Sequence, residues 1–163
     1  MEQNMLITPE RVVSEAFRPA DFVRADSVLP ADILAAQSRH LAPVLGELYP
    51  QMLRGEHPEL LDGYIAAPLA LYVRAALLPR LWLQSSDAGV VRIDTQSHAS
   101  ASRPQLKELV RQTLRQAREL MLRAVRHIEQ NPHLYPGYEQ RDNILHRCSI
   151  CGGVILTGHG TDL

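Results

Sequence analysis

Residues 103–130 read RPQLKELVRQTLRQARELMLRAVRHIEQ, and the spacing inside this stretch decides the fold class. Leu106, Leu109, Val110, Thr113, Leu114, Ala117, Leu120, Met121, Ala124, Val125 and Ile128 recur at three-four intervals, which places them on one side of a helix of about seven turns. Ser102 can cap its first turn, Pro104 suits a position just inside it, and Asn131-Pro132 stops it. The outer face from Lys107 to Glu129 carries six basic residues (Lys107, Arg111, Arg115, Arg118, Arg123, Arg126) against three acidic ones (Glu108, Glu119, Glu129).

Working back from this helix, the polar stretch 95–102 reads as a loop, and Val90-Val91-Arg92-Ile93 alternates weakly as a short strand or extended arm. A polar turn at residues 85–90 separates it from residues 58–83. That segment is apolar on more than one face, with Leu60, Ile65, Leu69, Leu71, Tyr72, Leu78 and Trp82 among its members. A helix apolar nearly all round is buried in its own fold or shared with a neighbour, so this is the expected central core helix, kinked at Pro68 and Pro79. Earlier, Thr8-Pro9-Glu10 opens a short helix ending near Phe17, and Pro30-Ala31-Asp32 opens another whose last turn Pro43 must bend or shorten before Gly46 ends it. A brief helical piece over 47–53 follows. Beyond residue 132, Gly153-Val154-Ile155-Leu156-Thr157 is β-prone within a mixed tail. The expected fold is therefore mostly α: a helical bundle over residues 1–138, a projecting loop at about 85–102, and a tail over 139–163 with a possible strand.

Composition fits one globular domain. The 163 residues are 45% hydrophobic and 21% charged, with one Trp, two Phe and five Tyr, so Leu, Ala, Val and Ile must build the core and helices are favoured over a sandwich. Acidic residues outnumber basic ones by 10 to 5 over residues 1–63, whereas basic residues outnumber acidic ones by 12 to 8 over residues 64–163. The two halves carry −5 and +4, an asymmetry that suits head-to-tail contact between copies or a basic face toward a polyanion. Sixteen of the 17 basic residues are Arg; codon bias is the expected cause, and Arg also suits interface ion pairs better than Lys does. Residues 1–6 lack the basic and apolar regions of a secretory signal, and residues 64–83, broken by Pro68, Arg74, Pro79 and Arg80, fall short of the roughly 18–20 apolar residues of a bilayer span. A soluble protein made in a reducing cytoplasm, without membrane contact, is the expectation.

Chemistry-bearing motifs are few. Cys148-Ser149-Ile150-Cys151-Gly152-Gly153 has the spacing of half a zinc knuckle, but a tetrahedral site needs two further ligands. His146 and His159 are the nearby candidates and fit no strong zinc pattern, so Cys148, Cys151 and His146 are weak metal candidates and ordinary small residues in a tail strand are the expectation. The histidines are scattered, His127 at a position facing solvent, with no i, i+4 metal pair. Asp21, Asp26 and Asp32 have no evident common site. There is no nucleophile elbow, P-loop or dinucleotide-binding glycine run, so neither catalysis nor a cofactor is expected. The basic face of the long helix is interrupted by glutamates and lacks interleaved aromatics, which points to a solvated, salt-bridged face rather than a nucleic-acid surface.

Four stretches carry a family resemblance: Leu41-Ala42-Pro43-Val44-Leu45-Gly46-Glu47-Leu48-Tyr49, Ala67-Pro68-Leu69-Ala70-Leu71-Tyr72, Leu78-Pro79-Arg80-Leu81-Trp82-Leu83-Gln84-Ser85-Ser86-Asp87-Ala88-Gly89-Val90, and the long helix ending at Asn131-Pro132. In their order these elements resemble the head-tail connector (adaptor, or head-completion) proteins of phages, in particular an uncharacterised branch from Bacteroidetes phages and prophages. The resemblance covers residues 17–138 and rests on structural rather than catalytic motifs. It implies a virion protein made in the bacterial host cytoplasm and assembled as a cyclic homo-oligomer of about a dozen copies. It further implies the portal protein and a tail-side ring protein as partners, DNA as passing cargo in the channel, and a loop bearing Asp87, Gly89, Val90 and Arg92 that reaches toward a neighbour. The tail after Tyr138 departs from that pattern and could add a strand to a partner's sheet. The alternative reading is a zinc-stabilised or nucleic-acid-binding regulatory protein.

Overall fold

The computed structural model describes residues 5–21, 23–86, 89–92, 102–147, 149–151 and 154–156. The chain is mostly helical. Helix α1 (Pro9–Ala16) starts where the hydroxyl of Thr8 accepts a hydrogen bond from the Arg11 N–H at 3.3 Å, with Pro9 in the first turn, where its missing N–H costs nothing. Helix α2 (Pro30–Ala36) starts where the Asp32 carboxylate accepts the Leu29 N–H at 3.0 Å. It runs through a π-turn (Gln37–Leu41) into α3 (Ala42–Leu45), which ends at Gly46. There φ is +54° and ψ −128°, a conformation that a Cβ strongly disfavours. Next come α4 (Leu48–Leu53), α5 (Pro58–Leu60), a second π-turn (Leu61–Ile65) and α6 (Ala66–Trp82).

The two π-turns have a common cause. A proline ring clashes with the carbonyl four residues before it and leaves that carbonyl without a donor. Here the wide turns end at Leu41 and Ile65, just ahead of Pro43 and Pro68, with the Ala42 N–H bonding to the Gln37 carbonyl and the Ala66 N–H to the Leu61 carbonyl. Widening the helix by one residue before the ring moves the conflict aside without breaking the rod. Pro79 lies inside α6 with no such wide turn before it, and its carbonyl accepts the Leu83 N–H that caps the helix.

From that cap the chain turns into an antiparallel hairpin, β1 (Leu83–Ser86) paired with β2 (Gly89–Arg92), with Leu83 opposite Arg92 and Ser86 opposite Gly89. Helix α7 (Arg103–Gln130) has the bounds its sequence predicts, and its start is a reciprocal capping box: the Ser102 hydroxyl accepts the Gln105 N–H at 3.4 Å and the Gln105 side chain accepts the Ser102 N–H at 2.8 Å. A short helix α8 (Ile144–Arg147) precedes a second hairpin, β3 (Ser149–Cys151) with β4 (Val154–Leu156).

Helix α6 is the centre of the core and packs against α1, α2 and α7. Leu69, Ala70 and Val73 are fully buried, and they meet Val12 of α1, Ile33 of α2 and the inner face of α7 in one cluster. Together α5, the π-turn and α6 form a 25-residue rod, Pro58–Trp82, long and apolar enough by length and composition to cross a membrane. This corrects the expectation that no stretch reaches that length; 61% of its apolar window is buried within the chain, so the same residues already serve the core. Packing also continues past Tyr138, where the expected tail begins. Asn143 is fully buried, its Nδ2 donating to the Tyr138 hydroxyl at 2.7 Å and its Oδ1 accepting the Leu145 N–H at 2.8 Å, and Leu145 lies against the core.

Candidate functional site

Helices α6 and α7 run antiparallel, with Tyr64 stacked on His127 at one end (ring centroids 4.1 Å apart) and Trp82 and Leu106 sharing two clefts at the other. Only one half of α7 is covered. From Ala117 onward Ala117, Met121, Ala124, Val125 and Ile128 are buried, whereas in the first half Thr113 alone is buried among the described residues. Its hydroxyl donates to the Leu109 carbonyl at 2.8 Å. The apolar stripe nevertheless continues into this half: Leu109 is 38% and Leu114 37% exposed, and Leu83, where the hairpin leaves α6, is 43% exposed.

Two adjoining clefts of about 430 Å³ each occupy this end. One, between Trp82, Leu83, Leu106 and Val110, is edged by Arg103 and Lys107, both exposed. The other lies between Phe17, Val23, Leu81, Trp82 and Leu109 and includes Arg74 and Asp21. Arg74 donates from Nη1 to the Ala16 carbonyl at 2.7 Å, holds Asp21 at 4.0 Å and lies over the Phe17 ring at 5.2 Å. Beside it Arg80 grips both oxygens of Asp32, at 3.2 and 2.8 Å, and donates to the Ser27 carbonyl at 2.7 Å. These arginines tie the loop between α1 and α2 to α6 and hold one wall of the cleft rigid. The two clefts together make a concave, largely apolar surface with a cationic edge.

The opposite end is an aromatic and histidine cluster. The His127 ring, between Tyr64 and Tyr135, exchanges a hydrogen bond with the Tyr135 hydroxyl at 3.2 Å, and the His57 ring meets Tyr135 edge-on. His57 opens α5 with φ +58°, a strained left-handed conformation for a side chain with a Cβ, and its ring is 3.2 Å from the Gln51 amide oxygen. At the middle of the molecule His40, on the first π-turn, stacks flat on Tyr72 of α6 at 4.0 Å. Burial, and then Arg39, hold the His40 imidazole below its ordinary value, while burial pushes the Tyr72 hydroxyl up against the opposing pull of Arg118. His127, expected at a solvent face, is instead half-buried, because Tyr64 offers its ring as a packing surface one helix away. Glu59, exposed on α5, edges a groove with His57, Leu60 and the half-exposed Leu134.

The three aspartates without an evident common site stay apart: Asp21 faces Arg74, Asp26 faces Arg24 and Asp32 faces Arg80. On the long helix Arg111 bridges to Glu108 at 3.0 Å, and Arg123 lies over the Tyr64 ring at 5.6 Å. Of the expected interaction-loop residues, Gly89, Val90 and Arg92 form β2, while Asp87 lies outside the described residues. Of the weak metal candidates, His146 is in α8, Cys151 is in β3 with Val154 opposite, and Cys148 lies outside the described residues. Among the described residues no three His, Cys, Asp or Glu side chains converge in a way that could hold a metal ion. The cleft residues Trp82, Leu106 and Leu109 carry the periodicity of core positions, and only the length of uncovered α7 distinguishes them.

No curated protein and no solved structure matches the chain. Residues 31–147, from the second residue of α2 to the end of α8, match DUF6712, a family of unknown function, and the chain belongs to that family.

Proposed function

We propose that this chain is a structural subunit of a phage virion, a head-tail connector or adaptor that forms a ring between the portal and the tail, without catalytic activity. The observation that carries this reading is the open end of the bundle, where the strands Leu83–Ser86 and Gly89–Arg92 leave the core helix beside apolar clefts that the described residues do not fill. Exposed leucines grouped in a concavity, with Arg103 and Lys107 at its edge, are the composition of a protein–protein contact. The charge asymmetry of the two halves, −5 and +4, suits repeated contact between unlike faces. In this reading the portal and a tail-side ring protein cover the ring's two faces, DNA passes through its channel, and residues 85–102 supply the docking element.

The test is the mass of the purified protein by light scattering, alone and mixed with a candidate portal, with zinc content read on the same sample. A ring, or a portal-dependent complex without metal, is the expected result. A metal-loaded monomer or dimer that ignores portal would replace this reading by the zinc-stabilised or nucleic-acid-binding regulator. Deleting residues 87–102 should leave the helical content intact and abolish docking; a loopless protein that still docks would remove the loop from the interface.

A further inference from the structure

The two ends of the bundle are unlike in charge and alike in apolar exposure. At the open end Leu83 is exposed beside the cationic Arg103 and Lys107 in one cleft, and Leu109 is exposed in the adjoining one. At the far end Leu134 is half-exposed beside Glu59, and Met5 is exposed in a neighbouring groove with Leu53 and Arg54, where Arg54 pairs with Glu56 at 2.8 Å. Residues 107–130 of α7 separate the ends by about 35 Å at 1.5 Å per residue. One chain therefore cannot satisfy its own open end with its far end.

We propose that the open end of one copy receives the far end of the next, the two adjoining clefts that hold Leu83 and Leu109 seating the ridge around Leu134 and Glu59, with Arg103 and Lys107 facing Glu59 and drawing Glu56 from its Arg54 partner. The occupant is a second copy because its far end offers exposed apolar side chains that match the apolar clefts and, in Glu59, negative charge for their cationic edge. A two-fold contact between open ends would set Arg103 and Lys107 against their own images, and one between far ends would do the same with Glu56 and Glu59. Like charges brought together across an interface oppose association, so the unlike pairing wins. Such a contact is heterologous and propagates around a ring, or along a filament where the rotation does not close. This inference rests on the ring reading above and names the surfaces that make the ring.

The experiment is sedimentation of the full chain over a wide concentration range, for the wild type, the R103E/K107E variant, the E56K/E59K variant and the chain carrying all four changes. All four positions are exposed, and circular dichroism checks that helical content is unchanged. Each reversed pair should weaken self-association by about tenfold or more, and the fourfold swap should bring it back to within about threefold of the wild type. An equimolar mixture of the two reversed proteins should recover association, since the negative open end of R103E/K107E meets the positive far end of E56K/E59K and the reverse joint is also unlike in charge, so the two proteins alternate along the assembly. An oligomer that ignores the reversals would overturn these surfaces while leaving the ring reading standing. A wild type that stays monomeric throughout, or stops at a dimer, would overturn these surfaces, and the ring reading falls with them only if the mixture with portal also yields no complex.

Discussion

Gln37 offers the sharpest test of how this fold is held. It is the first residue of the π-turn, it is fully buried, and its Oε1 accepts the N–H of Leu6 at 2.8 Å while its Nε2 donates to the Tyr49 hydroxyl at 3.3 Å. Leu6 and Ile7 are themselves buried, so the segment before α1 is pinned to the bundle by a polar contact inside an apolar setting. Gln37→Leu preserves volume and removes the acceptor, leaving the Leu6 N–H buried without a partner. Stranding one such donor costs about 1–3 kcal/mol, and a loss of ~2 kcal/mol lowers the melting temperature of a chain this size by about 4–8 °C. The assay is urea unfolding by circular dichroism together with hydrogen exchange read at the Leu6 amide. The midpoint should fall with an unchanged slope, and protection at Leu6 should drop by more than protection in α6. A Gln37→Leu protein with the wild-type midpoint and a protected Leu6 amide would refute the claim that this side chain anchors the segment.

Two pH dependences follow from buried rings. Burial, with Glu129 acting in the same direction and the Asn143 amide against it, pushes the Tyr138 hydroxyl up to about 12. A phenol whose proton is held more tightly in the folded state contributes stability that is complete below the ordinary value of about 10 and disappears as pH climbs toward 12. Tyr138→Phe should therefore flatten the alkaline limb of a stability profile, and an unchanged limb would argue against it. His40 behaves in the opposite sense: its lowered value means that stability is complete above about 6.5 and falls as pH drops below it, because the unfolded chain takes up the proton first. His40→Phe, which keeps a flat ring on Tyr72, should reduce that acid loss when unfolding is followed from neutral to mildly acidic pH.

The long helix was legible because every device that bounds it is local. Ser102 and Gln105 cap each other within one turn, Asn131-Pro132 ends the run, and the three-four spacing of Leu106 to Ile128 needs no partner to be read. Thr8 and Gly46 are visible for the same reason, since a hydroxyl three residues from an orphan N–H and a left-handed residue are properties of a few consecutive positions. The mostly helical class, and α6 as its buried centre, follow from composition and from an apolar run with no polar face.

What the tertiary structure decided is everything that depends on a residue far along the chain. Periodicity made Leu106 and Leu109 equal to Val125 and Ile128, yet one pair borders open clefts and the other is buried, because only the second half of α7 is packed into the core cluster. The prolines at 43 and 68 announced a disturbance, but π-turns rather than breaks resulted, since packing on both sides holds the rod together. His127 was placed in solvent by its position in the helix and drawn inward by Tyr64, 63 residues earlier in the numbering of the chain. Local chemistry sets where helices begin and end; which of their faces meet, and which are left for another molecule, is set only when distant segments compete for the same apolar surface.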